Sequence, residues 1–133
     1  MSEAGISLIK GMYESFGRGD IDGVIAGLTP DVHWRVNGER SDYPLLGVWN
    51  GAAEVRRFFA GVAELEQFSE FSPNEFHACG DMVFVLGRYA GKIVKTGRTF
   101  ASEFVHVFTL RGGKVCKFHE FTDTACFAAA WRG

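Results

Sequence analysis

The sequence has little cysteine, and no cysteine pattern that would build a metal site or a disulfide framework. Its three cysteines are Cys79, Cys116 and Cys126. Three is an odd number, the spacings match no metal motif, and no C-x-x-C pair occurs. We therefore expect free thiols in a reducing cytoplasm. The four histidines are too scattered to predict a metal site.

An excess of basic charge and a long apolar run are also missing. The chain has 14 Lys and Arg against 16 Asp and Glu, a formal net charge of −2. Nucleic-acid binding through a basic face needs a clear Lys/Arg excess, so that class of function is disfavoured. No segment approaches the roughly 20 apolar residues that span a bilayer, and the N-terminus lacks the pattern of a signal peptide. No glycine-rich phosphate motif precedes a helix. We predict a cytoplasmic protein that has no membrane contact and needs no cofactor.

Phenylalanine is abundant, with 13 residues in a chain that has only 3 prolines. The composition is 47% hydrophobic and 23% charged, which excludes a disordered or fibrous chain. A length of 133 residues fits one domain over 1–133. An aromatic core can enclose a cavity as easily as it can fill one, so this composition is the first indication of a ligand site.

The first half of the chain has helical periodicity. Apolar residues recur at helical spacing over 6–16 and again over 20–28, where Asp20 is the predicted cap. A third helix is predicted from Asn50 or Gly51, with a buried stripe that ends at Leu65. Between the second and third helices the pattern predicts a short strand over 32–36 and a loop over 38–47.

The second half has the periodicity of strands. Glycine pairs or Gly-Asp turns separate its apolar runs, and Gly112-Gly113 is a hairpin signal. A short terminal helix follows, capped by Asp123 or Thr124. Helices followed by antiparallel strands predict an α+β fold, with helices covering one face of a curved sheet. The predicted strands are 76–79, 82–90, 99–110 and 115–122.

Three segments resemble the nuclear-transport-factor-2-like superfamily and, within it, the SnoaL-like relatives of polyketide cyclases and ketosteroid isomerase. They read YESFGRGDIDGVIAGLTPDVHW, GVWNGAAEVRRFF and TGRTFASEFVHVFTLRGGKVCKFHEFTDTA. The resemblance implies a cone-shaped barrel, in which three N-terminal helices cover a mixed, mostly antiparallel sheet and enclose a pocket. It also implies a homodimer through the outer face of the sheet. Because this scaffold hosts many chemistries, the resemblance leaves the function open.

Strand parity assigns the pocket residues, because alternate residues of a strand face opposite ways. Lys117 is a poor candidate for an aromatic interior, which places the opposite parity of the last strand inward. A three-residue hairpin loop over 111–113 would agree with this parity, whereas a two-residue turn would pair His106 with His119. The three-residue loop would pair His106 with Phe118 and Phe104 with Glu120. Residues assigned to the inner face are Phe104, His106, Phe108, Leu110, Cys116, Phe118, Glu120 and Thr122. Val115, Phe84 and Phe121 have the outward parity, and the two phenylalanines fit a dimer face.

His106 and Glu120 are the predicted catalytic pair, since SnoaL-like cyclases carry a pocket histidine and an acidic base at this separation. A carboxylate in an apolar pocket is poorly solvated and therefore a better base. A proton α to a carbonyl suits such a base, and His106 would hydrogen-bond the enolate oxygen. The predicted reaction is an isomerisation, an aldol-type cyclisation or a dehydration of a hydrophobic carbonyl compound.

Two other functions remain open from the sequence alone. The domain could bind an apolar ligand without catalysis, or it could serve only as a dimerisation module. In those cases Glu120 would pair at the rim with His119, Lys117 or Arg35. His106 would then be a core histidine bonded to a backbone carbonyl.

Some residues depart from better-known relatives. Met12 falls where ketosteroid isomerase has its oxyanion tyrosine, and Tyr13 is one residue away, about 100° around a helix, so we expect it to point elsewhere. No carboxylate stands in the Val36-Asn37 segment that matches the isomerase base, although Asn37 could orient a ligand carbonyl. Tyr43 and Trp49 flank a predicted mouth loop. The other predicted pocket walls are Trp34, Phe59, Tyr89, Phe104 and Phe118.

Overall fold

The computed structural model describes residues 2–133 and has four helices and six strands in this range. All six strands form one sheet, in the order β2-β1-β6-β5-β4-β3. β1 and β6 are parallel, and the other neighbouring pairs are antiparallel. The predicted α+β class is confirmed. The elements are α1 Ser2–Gly17, α2 Ile21–Ala26, β1 Leu28–Val36, β2 Gly47–Asn50, α3 Gly51–Leu65, β3 Glu66–Cys79, β4 Met82–Ile93, β5 Thr99–Arg111, β6 Lys114–Thr122 and α4 Thr124–Arg132.

Local sequence signals explain where the helices begin. The side chain of Asp20 accepts a hydrogen bond from the backbone N–H of Gly23 at 2.9 Å, which caps α2. Asp123 caps α4 in the same way, through the N–H of Cys126 at 3.2 Å. The buried face of α3 consists of residues from the predicted stripe, namely Val55, Phe58, Phe59 and Val62.

β3 differs most from the sequence prediction, because it begins at Glu66 rather than near residue 76. It is an edge strand, so only one of its sides pairs with the sheet. Its polar composition and Pro73 conceal the strand pattern, since edge strands tolerate proline and charge. Register shifts beside Ser69 and Asn74 interrupt its alternation further. β1 also begins earlier than predicted, at Leu28, and β2 was not predicted.

The hairpin between β5 and β6 corrects the predicted register. Gly112 and Gly113 have φ of 60° and 79° and form a two-residue turn. A bulge at Cys116 then shifts the pairing by one residue. The predicted three-residue loop is therefore wrong, and so are the pairs of His106 with Phe118 and of Phe104 with Glu120.

The bulge decides which side chains enter the interior. His106 pairs directly with Glu120, so both face the same side of the sheet. On the turn side of the bulge the parity is reversed, which places Val115 inside with no exposed surface, contrary to its predicted outward position. His106 and Glu120 therefore share one face of the sheet, as predicted. The cause is a two-residue turn followed by a bulge at Cys116, and not the predicted three-residue loop.

Gly87 of β4 and Gly11 of α1 give opposite expectations for stability. A Cβ at Gly87 would overlap the ring of Phe104 and the carbonyl oxygen of Ser72. Gly87→Ala should therefore cost about 1–3 kcal/mol of the free energy of unfolding. Gly11 lies inside a helix, and no neighbouring element lies within 4 Å of the place that a Cβ would take, so Gly11→Ala should stabilise by about 0.5–1 kcal/mol. Urea denaturation followed by circular dichroism measures both. Equal effects of the two variants would contradict this difference in packing.

Candidate active site

A cavity of about 90 Å³ lies between the helices and the inner face of the sheet. A single water needs roughly 15 Å³ in such a cavity, so this space has room for several waters. Most of the lining is aromatic or aliphatic. The polar lining residues are Tyr13, Tyr43, Glu66, Tyr89, His106, Glu120 and Thr122.

His106 and Glu120 form a direct contact inside this cavity. Nε2 of His106 lies 2.7 Å from Oε1 of Glu120. The side chains are only 5% and 15% exposed, so water screens the contact little. Among residues 2–133, Glu120 has no Lys or Arg partner, and His106 bonds no backbone carbonyl. The structure thus brings the two predicted catalytic residues together.

Tyr13 extends this contact and corrects a prediction. Its hydroxyl lies 2.6 Å from Nδ1 of His106, and its ring lines the cavity. The expectation that it points elsewhere is wrong, because Met12 and Tyr13 both lie on the part of α1 that faces the sheet, and the long phenol reaches across. With Nε2–H donating to an ionised Glu120, Nδ1 accepts the Tyr13 proton.

Tyr89 continues the hydrogen-bonded chain on the other side of Glu120. Its hydroxyl lies 2.9 Å from Oε2 of Glu120 and 2.6 Å from Oγ1 of Thr122. Thr122 lies 3.2 Å from the hydroxyl of Ser102, which donates to the carbonyl of Glu103. Tyr89 was predicted as a cavity wall, and the structure makes it a polar partner as well.

The chain of hydroxyls can carry its protons in either direction. Each hydroxyl has one proton and can accept as well as donate. With Glu120 ionised, Thr122 donates to Tyr89 and Tyr89 donates to Glu120. With Glu120 protonated, it donates to Tyr89, and the protons of Tyr89 and Thr122 point towards Ser102. Glu120 can therefore gain or lose a proton while its neighbours only rotate hydroxyl bonds.

The tyrosines beside Glu120 remain protonated. Burial, followed by the charge of Glu120, raises the pKa of both Tyr13 and Tyr89 above the ordinary value for tyrosine. Both hydroxyls are thus available as hydrogen-bond donors at any physiological pH.

Aromatic rings hold the pair in place. Phe104 stacks on the ring of His106 with centroids 4.1 Å apart, but it does not line the cavity. Its predicted place in the pocket wall is therefore wrong, and it supports His106 from behind. Trp34 and Phe118 stack at 3.9 Å, and both line the cavity together with Phe59.

Asn37 does not face the cavity. Its amide oxygen accepts from the backbone N–H of Thr122 at 3.0 Å, and its amide nitrogen is 3.4 Å from the carbonyl oxygen of the same residue. Both ends of the side chain are used to join the end of β1 to the end of β6. The prediction that it orients a ligand is therefore not supported by its position.

Glu66 and Tyr43 are cavity residues that sequence reasoning missed. The Tyr43 hydroxyl donates to Oε2 of Glu66 at 2.7 Å. Burial raises the pKa of Glu66 to about 7, the charge of Glu120 adds to this, and the Tyr43 hydrogen bond opposes it. Glu66 follows an exposed Glu64 at the end of a helix, so nothing in the sequence marks it as buried. Tyr43 was predicted only to flank a mouth loop, whereas it is 1% exposed.

The cavity wall adjoins the protein surface between the end of α1 and β3. A surface depression there shares Phe16, Phe68 and Phe71 with the cavity, as well as Tyr13. The three phenylalanine rings contact one another, with centroids 5.1 to 6.2 Å apart. Trp49, predicted near the mouth, instead donates to the carbonyl of Leu45 at 3.2 Å and does not line the cavity.

Neither a cluster of metal-binding side chains nor a helix suited to crossing a membrane occurs in residues 2–133. No three His, Cys, Asp or Glu side chains of this range lie together as a metal site would require. None of the helices in the described chain has both the length and the apolar character needed to cross a membrane.

Comparison with known proteins shows which family this chain belongs to. The family model of the SnoaL-like domain matches residues 9–118. An NTF2-like protein from Burkholderia xenovorans is 32% identical over 98% of this chain and 97% of its own, with a TM-score of 0.89. A protein named TerC, co-crystallised with polyporic acid, is 30% identical over 98% of this chain and 99% of its own, with a TM-score of 0.86.

More distant structures share the fold alone. A candidate polyketide cyclase from Xanthomonas campestris is 21% identical over 97% of both chains, with a TM-score of 0.78. Among curated proteins, none matches this sequence. The family model covers most of the chain, and the chain belongs to the SnoaL-like family of NTF2-like proteins.

Proposed function

We propose that this protein is a cofactor-independent enzyme that moves a proton on a hydrophobic small molecule bearing a carbonyl group. The observation that carries the proposal is the His106–Glu120 contact of 2.7 Å within an aromatic cavity. A base and a hydrogen-bond donor at one apolar site are what the abstraction of an α-proton requires.

Glu120 is the base in this proposal. Its two oxygens are held by His106 and Tyr89, yet a carboxylate has about four lone-pair positions, so each oxygen can accept once more. The proton leaves the substrate carbon for a Glu120 oxygen, and the C–H electron pair becomes the enolate. Return of the same proton to another carbon completes an isomerisation with no net change of atoms. The flanking hydroxyl chain lets Glu120 hold the proton between the two steps.

Tyr13 is the donor to the enolate oxygen, with His106 behind it. When His106 carries a proton on both ring nitrogens, Nδ1–H donates to the Tyr13 oxygen. The phenolic proton of Tyr13 is then free to point at the ligand. A donor placed in advance at the developing charge lowers the barrier, because it needs no rearrangement during the reaction.

The relative TerC supports an aromatic oxygenated ligand. It was co-crystallised with polyporic acid. The cavity offers suitable surroundings, since aromatic rings form most of its wall and tyrosine hydroxyls project into it. We take an aromatic carbonyl compound as the ligand class.

Exchange of α-protons tests the proposal. The protein is incubated in deuterated buffer with a panel of aromatic ketones, and loss of the α-proton signal is followed by NMR. We expect exchange well above the buffer rate for at least one member. Binding of these ketones without any exchange above buffer would instead support the second candidate, a non-catalytic binding module. That candidate is favoured by one observation, which is that both oxygens of Glu120 already have partners.

We also propose that two copies of the chain associate through the outer face of the sheet. The strand register aligns Leu86, Val105 and Phe121 in one row, and Phe84, Val107 and His119 in the next. Leu86 is 38% exposed and Phe121 is 45% exposed, and apart from His119 the members of both rows are apolar.

Phe121→Asp should disrupt this association. A charge that is enclosed in an apolar interface loses its hydration, which costs more than the lost contact alone. Size-exclusion chromatography with light scattering should show a dimer for the wild type and a monomer for the variant. Val94→Asp is the control, because Val94 is 53% exposed away from these rows. A monomeric wild type would refute the dimer.

A further inference from the structure

Glu66 is a carboxyl group inside the cavity that the mechanism above does not use. It is the first residue of β3, and its Oε2 accepts from the Tyr43 hydroxyl at 2.7 Å. Tyr43 is fixed by stacking on Phe127 with centroids 5.5 Å apart. Glu66 as a whole residue is only partly buried, but its carboxyl end is enclosed by the cavity wall, and this enclosure disfavours its charged form.

Glu66 and Glu120 reach the same cavity from different parts of the sheet. β3 is the edge strand, whereas β6 lies three strands away in the sheet order. The curvature of the sheet brings their side chains into one lining, and the charge of Glu120 acts on Glu66. The cavity therefore has two hydrogen-bonded polar groups, Tyr43–Glu66 and Tyr13–His106–Glu120–Tyr89.

We propose that Glu66 is a second acid of the site, which donates its proton to a second oxygen of the substrate while Glu120 removes a proton beside the carbonyl. This inference rests on the proposed function and narrows it. The substrate class becomes an aromatic carbonyl compound with an oxygen on the β-carbon. An isomerisation needs only one acid–base group, whereas an elimination or an aldol reaction also needs a proton at a second oxygen.

The elimination balances with these two groups alone. Glu120 takes the α-proton, and the electron pair of that C–H bond forms the new C=C bond. The bond from the β-carbon to oxygen breaks, and its electron pair leaves with the oxygen. The Glu66 proton joins that oxygen, so a β-hydroxyl departs as water. Glu120 ends protonated and Glu66 ends ionised, and proton exchange with solvent restores both.

The surroundings of Glu66 suit a proton donor. The titratable groups that act on it are Tyr43 from the loop before β2, Tyr89 from β4 and Glu120 from β6. All three are acidic groups and none supplies a positive charge. Burial raises the pKa of Glu66 to about 7, so a large share of the molecules carry the proton at neutral pH.

Two ligands of the same shape test whether Glu66 donates to an oxygen at this position. The probes are 4-methoxy-4-phenylbutan-2-one and 4-phenylhexan-2-one, in which an ether oxygen is replaced by a methylene group. The ether oxygen can only accept a hydrogen bond. At about pH 5.5 we expect the wild type to bind the methoxy probe about fivefold more tightly, which is the effect of one hydrogen bond. At about pH 8.5 this preference should vanish, because ionised Glu66 has no proton to donate.

Two variants separate donation from packing. Glu66→Gln keeps an N–H donor at every pH, so its preference for the methoxy probe should persist at both pH values. Glu66→Leu has no donor and should bind the two probes equally. Titration calorimetry measures all affinities. Because the methoxy probe has the α-proton and the β-oxygen of the proposed substrate, NMR of the recovered probe shows whether methanol was lost, and such a loss would itself be the proposed elimination. Equal binding of the two probes by the wild type at about pH 5.5, including binding of neither, would overturn the inference. Since this measurement follows binding alone, a protein that shows the preference but exchanges no α-proton would end the proposed enzymatic function and leave the role of Glu66 as a donor intact.

Discussion

Glu120→Gln should lower the rate of α-proton exchange by about 10³-fold, because proton transfer by a positioned base contributes about 10²–10⁴-fold. Glutamine has nearly the same shape, and its carbonyl can still accept from Tyr89. Its amide cannot take a proton from carbon. We therefore expect folding and ligand affinity close to those of the wild type, with the loss confined to the turnover rate.

Controls for this result come from the same hydrogen-bonded chain and from the surface. Glu64→Gln removes an exposed carboxylate of α3 and should leave exchange unchanged. Tyr13→Phe removes the proposed donor but not the base, so it should lower exchange by about 10²–10³-fold. If Glu120→Gln retains exchange within about threefold of the wild type, Glu120 is not the base.

The general shape of the site was predictable because it depends on strand parity. Phe104, His106 and Phe108 alternate along one strand, and an alternating pattern fixes which residues share a face. All three are buried. The pairing across the hairpin was not predictable, since a bulge at Cys116 shifts the register without a proline or glycine at the bulged residue to mark it.

Three residues of the site could not be assigned from the sequence, for one physical reason. Tyr13, Tyr43 and Glu66 reach the cavity from a helix, a loop and the boundary of α3 with β3. Their positions depend on how these elements pack against the sheet, which local periodicity does not encode. A charged residue such as Glu66 is buried only where tertiary structure encloses it. Asn37 is the opposite case. It directly follows the cavity residue Val36 in the sequence, but its side chain accepts a hydrogen bond from the backbone of Thr122 in β6.

The buried Glu66 also predicts how stability depends on pH. Its pKa is about 7 in the folded protein against an ordinary value of 4.5, so the folded state binds this proton more tightly than the unfolded state. Stability from this group is therefore fully present below about pH 4.5 and is lost as pH rises to about 7 and above. At about 1.4 kcal/mol for each pKa unit, the ionised group costs the fold about 3 kcal/mol.

Glu66→Gln should remove this cost. The amide stays neutral at every pH, fills the same space and can still accept from the Tyr43 hydroxyl. At about pH 8.5 we expect the variant to exceed the wild type by about 3 kcal/mol in the free energy of unfolding, and at about pH 5 to lie within about 1 kcal/mol of it. Urea denaturation at both pH values gives these differences, with Glu64→Gln as the exposed control. If the free energies of unfolding of the wild type and of Glu66→Gln differ by the same amount at both pH values, Glu66 does not titrate between about pH 5 and about pH 8.5. A gain that appears only at the higher pH would mean that the chain retains a carboxyl at a cost in stability, which is expected where a proton donor serves the reaction rather than the fold.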